Sequence, residues 1–118
     1  MDRIRRLPLN ADLPVGIRLY EARRVRARLL GLALLHHLDP NDAVLIRRCR
    51  SVHTFGMRFP LDIVFVDRDW RVVRFVRDVG PGRLLSCRRA AAVIEVRAGE
   101  GDRLRVGLSL WRARAGGS

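Results

Sequence analysis

The stretch Leu61-Asp62-Ile63-Val64-Phe65-Val66-Asp67-Arg68-Asp69-Trp70-Arg71-Val72-Val73-Arg74-Phe75-Val76 decides the fold class of this chain. Two apolar runs rich in β-branched residues flank a short cluster of polar turn residues, which is the pattern of a β-hairpin. Moving outward, Ala43-Val44-Leu45-Ile46 and Ala92-Val93-Ile94-Glu95-Val96 read as further strands, and Pro81-Gly82 breaks the chain between them. Val15, Ile17 and Leu19 alternate at period two across Val15–Tyr20. Leu104, Val106, Leu108 and Leu110 alternate with Arg103, Arg105 and Ser109, predicting a last strand after the turn Gly99-Glu100-Gly101-Asp102. One segment has a different period. From Glu21 to Leu35, Ala22, Val25, Leu29 and Leu32 recur at helical spacing, and Asp39-Pro40-Asn41-Asp42 ends the segment in a turn. The expected fold is mainly β: a sandwich- or barrel-like antiparallel sheet with one short helix in the N-terminal half. Residues 1–14 read as an extended arm and residues 15–118 as a single domain.

Composition narrows the function classes. At 118 residues, with 48% hydrophobic and 31% charged residues, the chain suits one globular domain and excludes a multidomain enzyme or a repeat array. No run approaches the roughly 18 apolar residues of a membrane-spanning helix, and the opening Met1–Asn10 lacks the apolar stretch of a secretory signal. Cys49 and Cys87 are too few for a disulfide framework, so a cytoplasmic location is expected. The formal net charge of +12 attracts polyanions. All 24 basic residues are Arg, with no Lys, and they fall in every segment alike. Aromatics are only 6%, and no helix-turn-helix, zinc-finger or RNA-recognition pattern appears. Nucleic acid is therefore expected to bind only nonspecifically, by charge.

Residues 49–62 gather the side chains best suited to chemistry: Cys49, Ser51, His53, Thr54, Arg58 and Asp62. Cys49 and His53 invite a thiol–imidazole pair, but four residues of strand span about 13 Å, far beyond the roughly 3 Å such a pair needs. A metal site would draw on Cys49, His53, Cys87, His36 and His37, which lack CxxC or HxxxH spacing, so no metal and no cofactor are expected. His36-His37 suits a helix C-terminus, where imidazole interacts favourably with the dipole. Two readings of the cluster compete. Ser51, His53, Thr54, Arg58 and Asp62 either shape a pocket for a small anionic ligand, with Arg58 as the anion contact, or form a structural knot that satisfies buried donors. In both, Asp62 is placed to accept from His53 or Arg58.

The run from Cys49 through Ser51-Val52-His53-Thr54-Phe55-Gly56-Met57-Arg58-Phe59-Pro60-Leu61-Asp62 to Val66-Asp67 resembles the signature of the domain-of-unknown-function family numbered 192. Arg28–Leu32, Pro81-Gly82-Arg83, Val93–Gly99 and Gly101-Asp102 agree in order with the same family. The resemblance implies a compact, sandwich-like, mainly-β domain with a short helix, and no settled catalytic activity. Two departures stand out. Asp69-Trp70 replaces the usual Asp-Gly, and a bulky Trp disfavours the positive φ of a type I′ turn. Glu100 alone separates Ala98-Gly99 from Gly101-Asp102, where relatives carry a further helical insert, so a site built on that insert is missing. The functional expectation is a non-catalytic binding or accessory module with its site at residues 51–62. The alternatives are an enzyme using Cys49 or His53, and nonspecific nucleic-acid binding.

Overall fold

The computed structural model describes residues 9–22 and 38–115. Eight strands follow one another as β1 (Leu9–Leu13), β2 (Ile17–Glu21), β3 (Asp42–Arg47), β4 (Ser51–His53), β5 (Leu61–Val66), β6 (Val72–Val79), β7 (Leu84–Ser86) and β8 (Ala92–Arg97). Helix α1 (Gly101–Ala115) comes last. Six strands form one sheet in the order β1-β2-β3-β8-β5-β6, and β4 pairs with β7 in a separate ribbon. The mainly-β, sandwich-like expectation holds, though the sheet is open rather than closed into a barrel.

The sheet is mixed rather than purely antiparallel, because β2 and β3 run parallel. A parallel pair requires a crossover of a dozen or more residues, and the chain between Glu21 and Asp42 is long enough to supply it. The two strands are also tied by charge: Arg18 Nη2 lies 2.8 Å from the buried Asp42 Oδ1 at directly opposed positions. The helix expected over Glu21–Leu35 and the His36-His37 pair fall outside the described residues, except that Glu21 ends β2 and Ala22, just past it, donates its amide to the Leu45 carbonyl. Residues 9–13, read as part of an arm, form the edge strand β1.

The last segment is a helix, not a strand. Alternation of Leu104, Val106, Leu108 and Leu110 also contains an i, i+4 pair, and that pair wins: Leu104 and Leu108 are buried, whereas Val106 is 52% and Leu110 43% exposed. Asp102 in the first turn and Arg112 and Arg114 in the last complement the helix dipole. Gly107 lets α1 approach closely, since a Cβ there would lie 2.9 Å from the Pro14 carbonyl oxygen and 3.0 Å from Val15 Cγ2. Arg103 reaches across the same contact, donating to the carbonyls of Val15 and Pro40 and to Asn41 Oδ1. Val15 is held at φ 69° beneath it, a left-handed conformation that a β-branched residue rarely takes, so Val15-Gly16 turns before β2 instead of extending it.

Two apolar layers result. Leu13, Ile17, Leu45, Val64, Ile94 and α1 fill one face of the sheet. Val44, Ile46, Ile63, Phe65 and Val93 pack on the other against Val52 and Leu85 of the ribbon, with Met57 and Cys49. The expected hairpin is β5–β6. Its turn departs from the expectation at Trp70, which does adopt a positive φ of 65°. The loop is wider than a two-residue turn: Trp70 N–H donates to the Asp67 carbonyl, and Asp67 Oδ1 accepts from the amides of Asp69 and Arg71. Trp111 meets Trp70 edge-on at 5.3 Å and the Arg47 guanidinium lies 5.4 Å from its ring, offsetting the backbone cost.

Gly101 begins α1 in a crowded position. A Cβ there would stand 2.3 Å from Phe75 Cζ and 2.8 Å from Asp62 Oδ2. Replacing Gly101 with Ala should lower stability by about 1–3 kcal/mol in urea unfolding, despite the better helix propensity of Ala. An unchanged or raised midpoint would show that this corner is not tightly packed.

Candidate functional site

Ser51 and His53 lie on β4 of the ribbon, Thr54 and Arg58 follow it, and Asp62 lies in β5, and local geometry assigns them different jobs. Thr54 is 1% exposed. Its hydroxyl donates to the Gly80 carbonyl at 2.7 Å and accepts from the Arg83 amide at 2.8 Å, while its own amide donates to the Arg83 carbonyl. Thr54 therefore locks the Gly80–Arg83 turn onto the end of β4. Asp62, also 1% exposed, accepts three backbone amides: Asp78 at 2.8 Å, Gly99 at 3.0 Å and Gly101 at 2.9 Å. Asp62 thus finds its partners in the backbone of β6, the β8–α1 turn and the first residue of α1, not in His53 or Arg58.

Ser51 and His53 lie on the outer side of β4, with Val52 between them pointing into the core. His53 stands opposite Leu84 of β7, which is 68% exposed. Its ring meets that of Phe55, itself 55% exposed, at a centroid distance of 5.4 Å. His53 Nδ1 is buried and has no hydrogen-bond partner among the described residues. Arg58 is exposed on the loop that follows. The structure thus places Ser51 and His53 on one side of β4 and the Phe55 ring against His53, and adds Leu84, which only the β4–β7 pairing reveals.

Cys49 is buried and its thiol donates to the Ser51 carbonyl at 3.0 Å. Among the described residues no three His, Cys, Asp or Glu side chains gather as a metal ion would require. No helix among them is long and apolar enough to cross a membrane.

One buried acid escaped attention in the sequence because it sits inside an ordinary strand pattern. Glu95 is 3% exposed, flanked across the sheet by Val44 and Ile63. Burial pushes its carboxyl from 4.5 up to about 8, so the folded chain holds it protonated at neutral pH.

Residues 10–109 match the family described as DUF192, Uncharacterized ACR. The chain belongs to the DUF192 family. No curated protein matches it. Among solved structures, this DUF192 protein is similar to a protein of unknown function from Novosphingobium aromaticivorans DSM 12444, with TM-score 0.66 and 25% identity over 75% of this chain and 68% of that one. It is also similar in fold to a protein from Sinorhizobium meliloti 1021 described as a "putative transcription regulator", with TM-score 0.66 and 23% identity over 75% of this chain and 74% of that one.

The raised Glu95 value fixes the sign of a pH effect. The unfolded chain releases this proton near 4.5 and the folded chain near 8. Stability is therefore complete below the lower value and falls as pH rises through the upper one, by an amount on the order of a few kcal/mol. Unfolding free energies of the Glu95→Gln variant should lack that decline. A wild-type curve that stays flat across the window would contradict the assignment.

Proposed function

We propose that this DUF192 protein is a cytoplasmic, non-catalytic binding module whose recognition face is the outer side of the β4–β7 ribbon. Ser51, His53 and Arg58 are the polar contacts, Phe55 and Leu84 the apolar ones, and Thr54 and Asp62 the frame that holds them. The observation that carries this reading is His53. A buried ring nitrogen without a partner is costly, and here it lies beside exposed apolar groups that a ligand could cover. A planar ligand seated against the exposed Phe55 and Leu84 beside His53 would supply the missing hydrogen bond. An acid group on that ligand would meet the exposed guanidinium of Arg58.

Two features weigh against the thiol-enzyme alternative. Cys49 is buried within the ribbon's core packing, and its thiol is engaged by the Ser51 carbonyl rather than by an imidazole. Both cysteines are free thiols, which supports a reducing compartment.

The test uses benzoate, a planar acid, titrated into the isotope-labelled protein by NMR. Saturable shifts should cluster at Ser51, His53, Phe55 and Leu84, and Phe55→Ala should weaken binding about tenfold. Shifts scattered over the surface, or indifference to Phe55→Ala, would overturn the site. Modification of Cys49 by iodoacetamide well below its ordinary thiol range, about 8.5, would move the case to the enzyme reading.

A further inference from the structure

A second surface, apart from the His53 face, is built by three loops that are distant in sequence. The β3–β4 connection contributes Arg48 and Arg50, the hairpin turn Arg68, and the β7–β8 connection Arg88 and Arg89. All five are exposed, and they line an open groove of about 800 Å³. That volume is in the range of small-ligand sites.

The convergence is held by the backbone rather than by chance side-chain positions. Cys87 N–H donates to the Arg50 carbonyl at 2.8 Å, and Ala91 N–H to the Val66 carbonyl at 2.8 Å, binding the three loops to one another. The small side chains of Ala90, which is buried, and Ala91 complete the lining. Arg48 lines the groove with φ 52°, a backbone conformation uncommon outside glycine. Guanidinium groups crowded around one recess repel each other, so the arrangement favours an anion between them.

Charge and shape select the anion. The lining acids are Asp67 and Asp69, and Asp67 Oδ1 is engaged by two amides of its own turn. Arg50, Arg68, Arg88 and Arg89 outnumber these two aspartates among the described lining residues. A groove of about 800 Å³ lined from three separate loops is far larger than one phosphate group fills, whereas a chain of two or three phosphoryl groups can reach arginines on all three. Among the described residues no aromatic side chain lines the groove, so they offer no platform on which nucleic-acid bases could stack. We propose that this groove binds an oligophosphate, a chain of two or three phosphoryl groups, either inorganic or carried by a small molecule. Guanidinium forks on separate loops would each grip a different phosphoryl group in bidentate fashion.

Calorimetry on the full chain with sodium tripolyphosphate, at about 150 mM salt so that diffuse charge attraction is screened, tests the site. One saturable site is expected, with sulfate binding at least about tenfold more weakly. The pair Arg50→Gln and Arg88→Gln should weaken tripolyphosphate binding by about tenfold or more, and Arg68→Gln alone, on the third loop, should weaken it severalfold. The pair Arg97→Gln and Arg105→Gln removes the same charge outside the groove and should leave it unchanged. Adenosine triphosphate in place of tripolyphosphate identifies the source: tighter binding marks a nucleotide, equal binding the phosphate chain alone. Equal losses from both pairs, or no saturable binding, would overturn the proposal, as would a single-stranded oligonucleotide that competes more tightly for the same arginines. Melting temperatures of all variants should match the parent, since every replaced side chain is exposed; a groove pair that melts early leaves Arg68→Gln to decide.

Discussion

A single carboxylate organises the centre of this molecule. Asp62 lies in β5 between two core residues, Leu61 and Ile63, and is removed from water. Burying a carboxylate is prohibitive unless it is paired or hydrogen-bonded, and three backbone amides meet that demand. The amides come from two separate parts of the chain, the end of β6 and the β8–α1 turn. The Asp78 amide bends β6 where its register against β5 shifts, with Asp78 itself at φ 53°. The Gly99 and Gly101 amides bring the end of β8 and the start of α1 to the same point. The acid thus acts as a remote cap on α1, using charge as well as hydrogen bonds at the positive end of the helix.

The neighbouring charges fit this arrangement. Arg77, one residue before the bend, grips Asp102 with both terminal nitrogens at 2.6 and 2.8 Å. That contact raises the guanidinium's pKa and lowers the carboxyl's, with Asp62 adding a smaller pull on Arg77. The first turn of α1 is therefore held from inside by Asp62 and from outside by Arg77. Glu95 presents the opposite solution to burial. Lying between Val44 and Ile63 on the next strand, it is kept neutral by its surroundings rather than compensated as an ion. Two buried acids on adjacent strands thus answer the same desolvation penalty in different ways, and only one of them organises backbone.

Much of the fold was legible because strands announce themselves locally. Leu61–Val66 and Val72–Val76 form the hairpin their composition suggests, and Ala92–Val96 lies where its apolar run predicts. The C-terminal helix was hidden because leucines at every second position satisfy two periods at once. Which period wins depends on Gly107 seating against Pro14 and Val15, a contact between residues far apart in the chain. The turn at Trp70 was misleading for a related reason: its positive φ is tolerated because Trp111 and Arg47, from other elements, hold the ring. In the 49–62 stretch, chemistry marked Thr54 and Asp62 as unusual, but their partners lie between 16 and 39 residues away. Nothing in the local sequence distinguishes a ligand contact from a strand fastener under those conditions.

The topology also explains why both surfaces that could meet a ligand fall on irregular backbone. β3 and β8 are neighbours in the main sheet, paired from Ala43 with Val96 to Arg47 with Ala92. Between them in sequence the chain leaves the sheet to form β4, returns for the β5–β6 hairpin, and leaves again to form β7. The ribbon face therefore occupies the middle of two excursions, and the arginine groove lies where those excursions depart from β3 and rejoin β8. Cys49 and Cys87 mark the junctions: one thiol fastens to the Ser51 carbonyl, and the backbone amide of the other to that of Arg50. A ligand drawing the arginines together would pull on the residues that set the ribbon's position, and one seated at His53 would stiffen the same loops. A shared backbone joins the two surfaces, while the strands of the main sheet beside them are fixed from both sides by packed core.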